Sequence, residues 1–517
     1  MVLFKKLINK ENSLQLSLLV LVPYLLINTG IFSDEYTLLL NTQNKNLTEL
    51  LVPKGFLLIA PIENYTHIIW YHFIKIDNLI LVYILKILYV FLSLYFLAKF
   101  FALFLNRQNA FLISLLFLYF PSHDSTPYTL LVQYITLTVS IYLYAFYLAY
   151  NNKLIWAFVA ATVASFTSYA SVVIAIALFS YFIVNKEFKK SLVIFIPNVM
   201  FSIYYIVMSR ILDVMKTQVP DKLNIYILIK QFVLQVVTFI DSVVGPSMWL
   251  KLYYSYYELS AISFVIGILL IFIFYITCKE NEDNYNSKLI ISFIVLLLTS
   301  FAIFAITGGY PQLAFNLGNR TTVFGSLLLA YLIVLIPSSR KKKTAVFAIF
   351  LFSILGISDH WKDWHKQQMQ VIKNIANNDA LIEYKESKTI YVSGNQYSKY
   401  GPISHIEFLS ENWVTSAVFN LALKKNIHAV SINKRHAYED GYLVDRKYNS
   451  KNKIAGYINI YDSENNKLLK LDVEDINSYI DSLPPENRHW IMLSDNRLVS
   501  FVKNLVIKLM PRLEYAL

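Results

Sequence analysis

Residues 79–105 read LILVYILKILYVFLSLYFLAKFFALFL, and they decide the class of the chain. The run is longer than the roughly 20 apolar residues that a perpendicular membrane span needs, and only Lys86 and Lys99 interrupt it. Similar runs recur from Leu14 to Gly356. Of the 517 residues, 56% are hydrophobic and 16% aromatic, only 15% are charged, and the mean hydropathy is +0.47. Soluble chains are about 25% charged, so this composition excludes an ordinary globular enzyme. The expected fold is a polytopic α-helical membrane protein.

Working outward from that run, eleven spans are expected: Leu14 to Phe32, Leu79 to Leu105, Ala110 to Phe120, Tyr128 to Tyr150, Leu154 to Thr167, Tyr169 to Val184, Ser191 to Met208, Leu259 to Cys278, Leu289 to Ile306, Thr322 to Ile336 and Thr344 to Gly356. Charge sets their orientation. With the N-terminus inside, the inner loops hold fourteen Lys and Arg against five acids, whereas the outer loops are near neutral, as the positive-inside rule requires. The net charge of +12 is therefore an orientation signal rather than a nucleic-acid signal. The segment Met1 to Ser13 precedes an apolar run with no small-residue cleavage site before Asp34, which reads as a retained first helix. One cysteine, Cys278, excludes a disulfide framework and a Cys-based zinc site.

Composition changes after residue 357. Charges spread through residues 358–517, and short alternating stretches such as Thr389-Ile390-Tyr391-Val392-Ser393 suggest strands. The expected division is a membrane domain, residues 1–357, and a soluble α/β domain, residues 358–517, on the outer face. Strands are expected at Lys388 to Gly394 and Lys453 to Tyr461, and helices through about Asn377, at Ala417 to Lys425 and at Val473 to Leu483.

The polar residues of the outer loops are the candidates for chemistry. Ser33-Asp34-Glu35-Tyr36 places two carboxylates directly after the first span. Asp34 suits either the N-cap of the following helix or a general base. Gly55 to Ile76 is amphipathic and aromatic, with Tyr65, His67 and His72, and suits an interfacial helix. The spacing of the two histidines does not match a metal pair on one helix face, and no metal ligands are assigned. Pro121-Ser122-His123-Asp124-Ser125-Thr126-Pro127-Tyr128 sets an imidazole and a carboxylate between two prolines. Arg320 suits a salt bridge or an anion site, and Lys86 suits an intramembrane site or a side chain that snorkels to the headgroups.

Taken in order, these loops resemble the GT-C superfamily of polyprenyl-phosphate-sugar-dependent glycosyltransferases. Ser33-Asp34-Glu35-Tyr36 is similar to the acidic motif of that family's first outer loop, and Pro61-Ile62-Glu63-Asn64-Tyr65 through Lys75 to its "PPLYY…H" helix. The 121–128 turn and Ala164-Ser165-Phe166-Thr167-Ser168-Tyr169 resemble two later turns, the second its "LTHYT" motif. In place of the family's double proline stands Pro61-Ile62, and in place of its Glu-x-Arg stands His123-Asp124-Ser125-Thr126. The resemblance covers Leu14 to Met208 by motif and the remainder by topology.

The resemblance implies an inverting glycosyltransferase that moves a sugar from a polyprenyl-phosphate donor to a glycan, glycolipid or protein acceptor. The setting is the outer side of a bacterial inner membrane, with the N-terminus cytoplasmic. Asp34, or failing it Glu35, is then the base. Arg320 and Lys86 are the donor phosphate ligands, and His123, Asp124, Tyr65 and His67 line the substrate. No obligatory cofactor follows, a divalent cation stays open, and membrane lipid rather than nucleic acid is the surrounding partner. A polysaccharide polymerase or ligase, and a lipid-linked-sugar flippase, are the competing functions.

Overall fold

The computed structural model describes residues 10–43, 45–52, 60–211, 224–278, 285–307, 311–385, 388–454, 456–485, 488–493 and 496–509. The charged segments 1–9 and 279–284, which enter the inner-loop count, lie outside these residues, as do the start of the Gly55 segment and residues 308–310. The chain is mainly helical, in the order α1 (Lys10–Leu26), α2 (Asp34–Gln43), α3 (Pro61–Phe73), α4 (Ile80–Phe101), α5 (Arg107–Leu118), α6 (Leu130–Tyr150), α7 (Leu154–Thr167), α8 (Ser171–Val184), α9 (Phe188–Ile211), α10 (Ile225–Val243), α11 (Pro246–Tyr257), α12 (Ala261–Thr277), α13 (Ser287–Thr307), α14 (Val323–Leu335) and α15 (Arg340–Ala376).

Among the described residues, seven helices are long and apolar enough to cross a membrane, with four shorter apolar helices beside them. Their outward faces carry uncovered side chains such as Ile196, Ile203 and Ile206 on α9 and Ile262, Leu269 and Phe272 on α12. An apolar surface of this extent is stable against lipid, not water. The architecture is that of a polytopic membrane protein.

Two regions differ from the expected runs. The third, Ala110 to Phe120, forms the 12-residue α5, whose residues from Asn109 to Leu118 are all buried. At 1.5 Å per residue it is about 18 Å long, short of a hydrocarbon core of about 30 Å. Conversely, residues 225–257 form a helical run bent at Gly245 where no span was expected. Lys230, Gln231, Gln235 and Asp241 lie along this run, which is nonetheless apolar enough to cross a membrane: Ile225, Ile229, Val233, Val237 and Ile240 line one exposed face, while Gln235, Phe239 and Ser242 turn inward. That is amphipathic helix periodicity rather than a continuous apolar run.

The proposed boundary at 357/358 falls inside α15, which continues unbroken to Ala376. Its 37 residues span about 55 Å, and past the apolar half they bury Trp361, Trp364, Ile372 and Ile375. Beyond it, a four-stranded sheet has the order β4-β1-β8-β9 (β1 Ile390–Ser393, β4 Ala429–Ser431, β8 Tyr457–Asp462, β9 Lys467–Asp472). β1 runs parallel to both β4 and β8, and β9 is an antiparallel edge. The hairpin β2–β3 (Tyr397–Tyr400, Ile403–Glu407) and helix α16 (Asn412–Leu423) connect β1 to β4. A small antiparallel sheet, β5-β6-β7 (His436–Glu439, Tyr442–Asp445, Ser450–Lys453), precedes β8, and α17 (Ile476–Ser482) and α18 (Arg497–Leu509) follow β9. The expected strand Lys453 to Tyr461 is thus divided between the end of β7 and β8.

Strand alternation assigns the two faces of β1. Ile390 and Val392 join a core continuous with the helical bundle, whereas Tyr391 packs with Val430, Ile432, Ile460 and Ile476 in a separate cluster. The sheet region is therefore joined to the bundle through a shared apolar core.

Candidate functional site

The eight side chains expected at a site gather at one end of the bundle, where α2, α3, the 121–128 turn and the sheet region meet, but they do not form one pocket. Five are buried, Tyr65 and Arg320 are half-buried, and Asp34 is exposed.

Chain reversal after α1 uses left-handed backbone at Asn28, Gly30 and Ser33. Helix α2 then begins at Asp34 itself, so Asp34 is not its N-cap. The reach-back is made by Glu35, whose Oε2 accepts from the Phe32 N–H at 2.7 Å, as in a capping box. Its Oε1 accepts from the Leu130 N–H at 2.9 Å and from the Tyr71 hydroxyl. Burial raises the pKa of this wholly enclosed carboxyl, with Lys86 and Tyr71 opposing. Lys86 is itself 0% exposed and donates to the Gly30 carbonyl at 2.5 Å and the Thr29 hydroxyl at 3.2 Å. These bonds tie α2, α3, α4 and α6 together, and neither group faces open space. Asp34, one residue away, points outward; its Oδ1 accepts from the Trp413 indole of α16 at 2.6 Å.

The second cluster centres on Asp124, 1% exposed. Oδ1 accepts from Lys251 of α11 at 2.7 Å and from Asn319 at 2.6 Å, and Oδ2 from Trp361 of α15 at 3.1 Å and His405 of β3 at 2.9 Å. Burial alone would raise this carboxyl, but His405 and Lys251 hold it well below the usual carboxylate range. The Asn316 N–H donates to His405 Nδ1 at 3.2 Å, which fixes the proton on Nε2, where it points at Asp124. Burial pushes His405 down to about 4, against the pull of Asp124. His123 is turned away, with its ring stacked on Phe120 and its Nδ1 bonded to the Thr126 hydroxyl at 2.9 Å. Burial takes it down to about 3.

On α3, His67 is buried and its Nε2 donates to the Leu130 carbonyl at 3.3 Å, while Tyr65 packs against Leu50 and Ile68. Burial lowers His67 to about 4. Arg320 is half-exposed in the turn Leu317–Thr322, and its charge acts on Glu63, a carboxyl raised to about 8 by burial. Among the described residues, no three His, Cys, Asp or Glu side chains group as a metal site.

A wide open space lies beside these clusters. A cavity of about 940 Å³ opens between Asn28 at the end of α1, Asp77 and Tyr83 at the start of α4, one face of α15 and the last turn of α16. Lys362, Lys366 and Lys373 of α15 and Lys424 line it with His365, against only Asp77 and Asp363. None of the eight expected residues lines this cleft. Its signal in the sequence is Lys362, Lys366 and Lys373 at intervals of four and seven, the spacing of one helix face. From Trp413, which holds Asp34, to Leu421 on the cleft wall is eight residues of α16, about 12 Å along its axis.

No family model, curated protein or solved structure matches this chain. What the site can do rests on its own geometry: a basic cleft at the polar end of apolar helices, next to two rigid polar clusters and one exposed carboxylate.

Proposed function

We propose that this protein is a membrane glycosyltransferase that takes a sugar from a polyprenyl-phosphate donor and passes it to an acceptor on the outer side of a bacterial inner membrane, in cell-surface glycan or glycolipid assembly. The observation that carries the reading is the basic cleft. It lies where the apolar residues of α1 and α4 give way to polar ones, the level expected for a lipid headgroup, and Lys366, Lys373 and Lys424, beside a Lys362 already paired with Asp359, suit a phosphate. The acceptor hydroxyl oxygen bonds to the anomeric carbon as the bond from that carbon to the phosphate oxygen breaks. The electron pair leaves with the phosphate, whose charge the lysines stabilise, and a carboxylate takes the hydroxyl proton.

The resemblance makes Asp34 that carboxylate, but Asp34 stands exposed outside the cleft lining with its Oδ1 on the Trp413 indole, the placement of an ordinary solvated residue. A base must lie within about 3 Å of the proton it takes, and on the cleft wall the carboxylates are Asp77 and Asp363. The test is release of free polyprenyl phosphate from a synthetic short-chain polyprenyl-phosphate hexose by membranes containing the protein and its endogenous acceptors. Loss of about 10²-fold or more in Asp34→Asn alone supports Asp34 as base; the same loss in Asp363→Asn alone moves the base to the cleft. Charge reversal at Lys366 and Lys373 is expected to raise the KM for donor. Undiminished turnover in both aspartate variants, or no donor consumption by the parent protein, overturns the proposal.

A further inference from the structure

A second polar cavity, of about 430 Å³, lies on the opposite side of the Asp363 turn of α15. Its floor is formed by the carboxyl ends of β1 and β8: Ser393, Gly394 and Asn395 after β1, Asp462 and Glu464 after β8. The connection leaving β1 passes through α16 to β4 on one side, whereas β8 pairs on the other, so the strand order reverses between β1 and β8. Open parallel sheets bind their ligands at such a switch point, outside the carboxyl ends of the strands.

The floor is a built surface. The Ser463 N–H and hydroxyl both donate to the Ser393 carbonyl, at 3.0 and 2.7 Å, and Asn395 donates to the Ser463 hydroxyl at 3.2 Å. Gly394 has φ +78°, a backbone conformation that residues with a Cβ adopt only with strain.

The lining selects the ligand. Such crevices commonly take nucleotides, but here Glu258, Asp363, Asp462 and Glu464 face Lys399 and His360, and that balance repels phosphate. Gln367 adds an amide, and Tyr397 and Tyr479, whose hydroxyls are held by Ser410 and Ser393, add ring faces on which a sugar can lie. We infer that this switch-point crevice binds a polyhydroxylated ligand carrying positive charge, the chemistry of an amino-sugar unit. The inference does not depend on the transferase reading.

The test uses the full chain in lipid nanodiscs and three probes: a glucosamine trimer, its fully N-acetylated form and uridine monophosphate. Saturation-transfer NMR and calorimetry are expected to show the glucosamine trimer binding at least tenfold more tightly than the acetylated trimer. Glu464→Gln, an exposed position, is expected to weaken it about tenfold, and Gln367→Ala to weaken both trimers. Equal affinity for the two trimers, tighter binding of the nucleotide, no binding of any probe, or an unchanged Glu464→Gln protein overturns the assignment. An Asp34→Asn protein that binds the trimer but releases no polyprenyl phosphate separates this site from the transfer step.

Discussion

Asp124→Asn tests whether the buried carboxylate holds the sheet region to the bundle. The four donors on Asp124 come from α11, the 317–322 turn, α15 and β3, so a single side chain joins three parts of the bundle to the hairpin beyond it. The substitution keeps the volume but removes the charge, leaving the Lys251 ammonium, 0% exposed, without its countercharge and setting an amide N–H2 against two of the four donors. Removing one partner of a buried ion pair costs about 3–5 kcal/mol, a factor of roughly 10² to 10^3.6 in the folded population. Trp361 reports the event, because its indole bonds Asp124 and its ring stacks on Tyr128 with centroids 5.3 Å apart. Denaturant titration in detergent, followed by tryptophan fluorescence, should show the loss together with early proteolysis beyond α15. Adding Lys251→Met should recover much of it, since no unpaired charge then remains. An Asp124→Asn protein within about 1 kcal/mol of the parent, or a double variant weaker than the single one, refutes the reasoning.

Glu35→Gln should destabilise the protein by a similar mechanism, because it strips the countercharge from buried Lys86, whereas Asp34→Asn should leave the unfolding midpoint within the error of the same titration. His405, lowered to about 4 from an ordinary value near 6.5, stays neutral in the fold while the unfolded chain takes up a proton. Stability should therefore fall as pH drops from about 6.5 to about 4; His405 contributes up to about 3 kcal/mol of that fall beside His67 and His123, which burial lowers at least as far, and His405→Gln should lessen the slope by that share in pH-dependent denaturation. Gly356→Ala should separate α15 from α11, since its Cβ would stand 1.8 Å from the Ser255 carbonyl oxygen. A loss of about 1–3 kcal/mol or more is expected by the same assay.

Hydropathy was sufficient to read the membrane class and most helix positions, because lipid-facing helices must be apolar along their length. The reading passed over α10, although its hydropathy matches that of other membrane helices, and it took as a span the run that forms the 12-residue α5. The site was legible only as a set of loops. Asp34 and Glu35 are neighbours of identical charge, and no local pattern tells which turns outward. That is decided by Tyr71, Leu130 and Trp413, which lie 36, 95 and 379 positions away from their carboxylate partners. For Asp124 the deciding partners are spread as widely, from Lys251 to His405. The basic face of α15 could be read from spacing alone, but not the wall opposite it, which is supplied by Asn28, Asp77 and α16.

The division of labour among these groups follows from how much each is enclosed. A carboxylate with every donor supplied by the fold, as in Glu35 and Asp124, cannot exchange a proton with a ligand without first breaking a cluster that joins several helices. Among the side chains left free to meet a ligand are those on α15 beyond its apolar half, where Lys366 and Lys373 face one cavity, Gln367 faces the other and Asp363 borders both. Because α15 is one unbroken helix rooted in the bundle, a group bound in either cavity presses on the same rigid rod. A group bound in one cavity is thereby held at a separation from a group in the other that the helix itself sets.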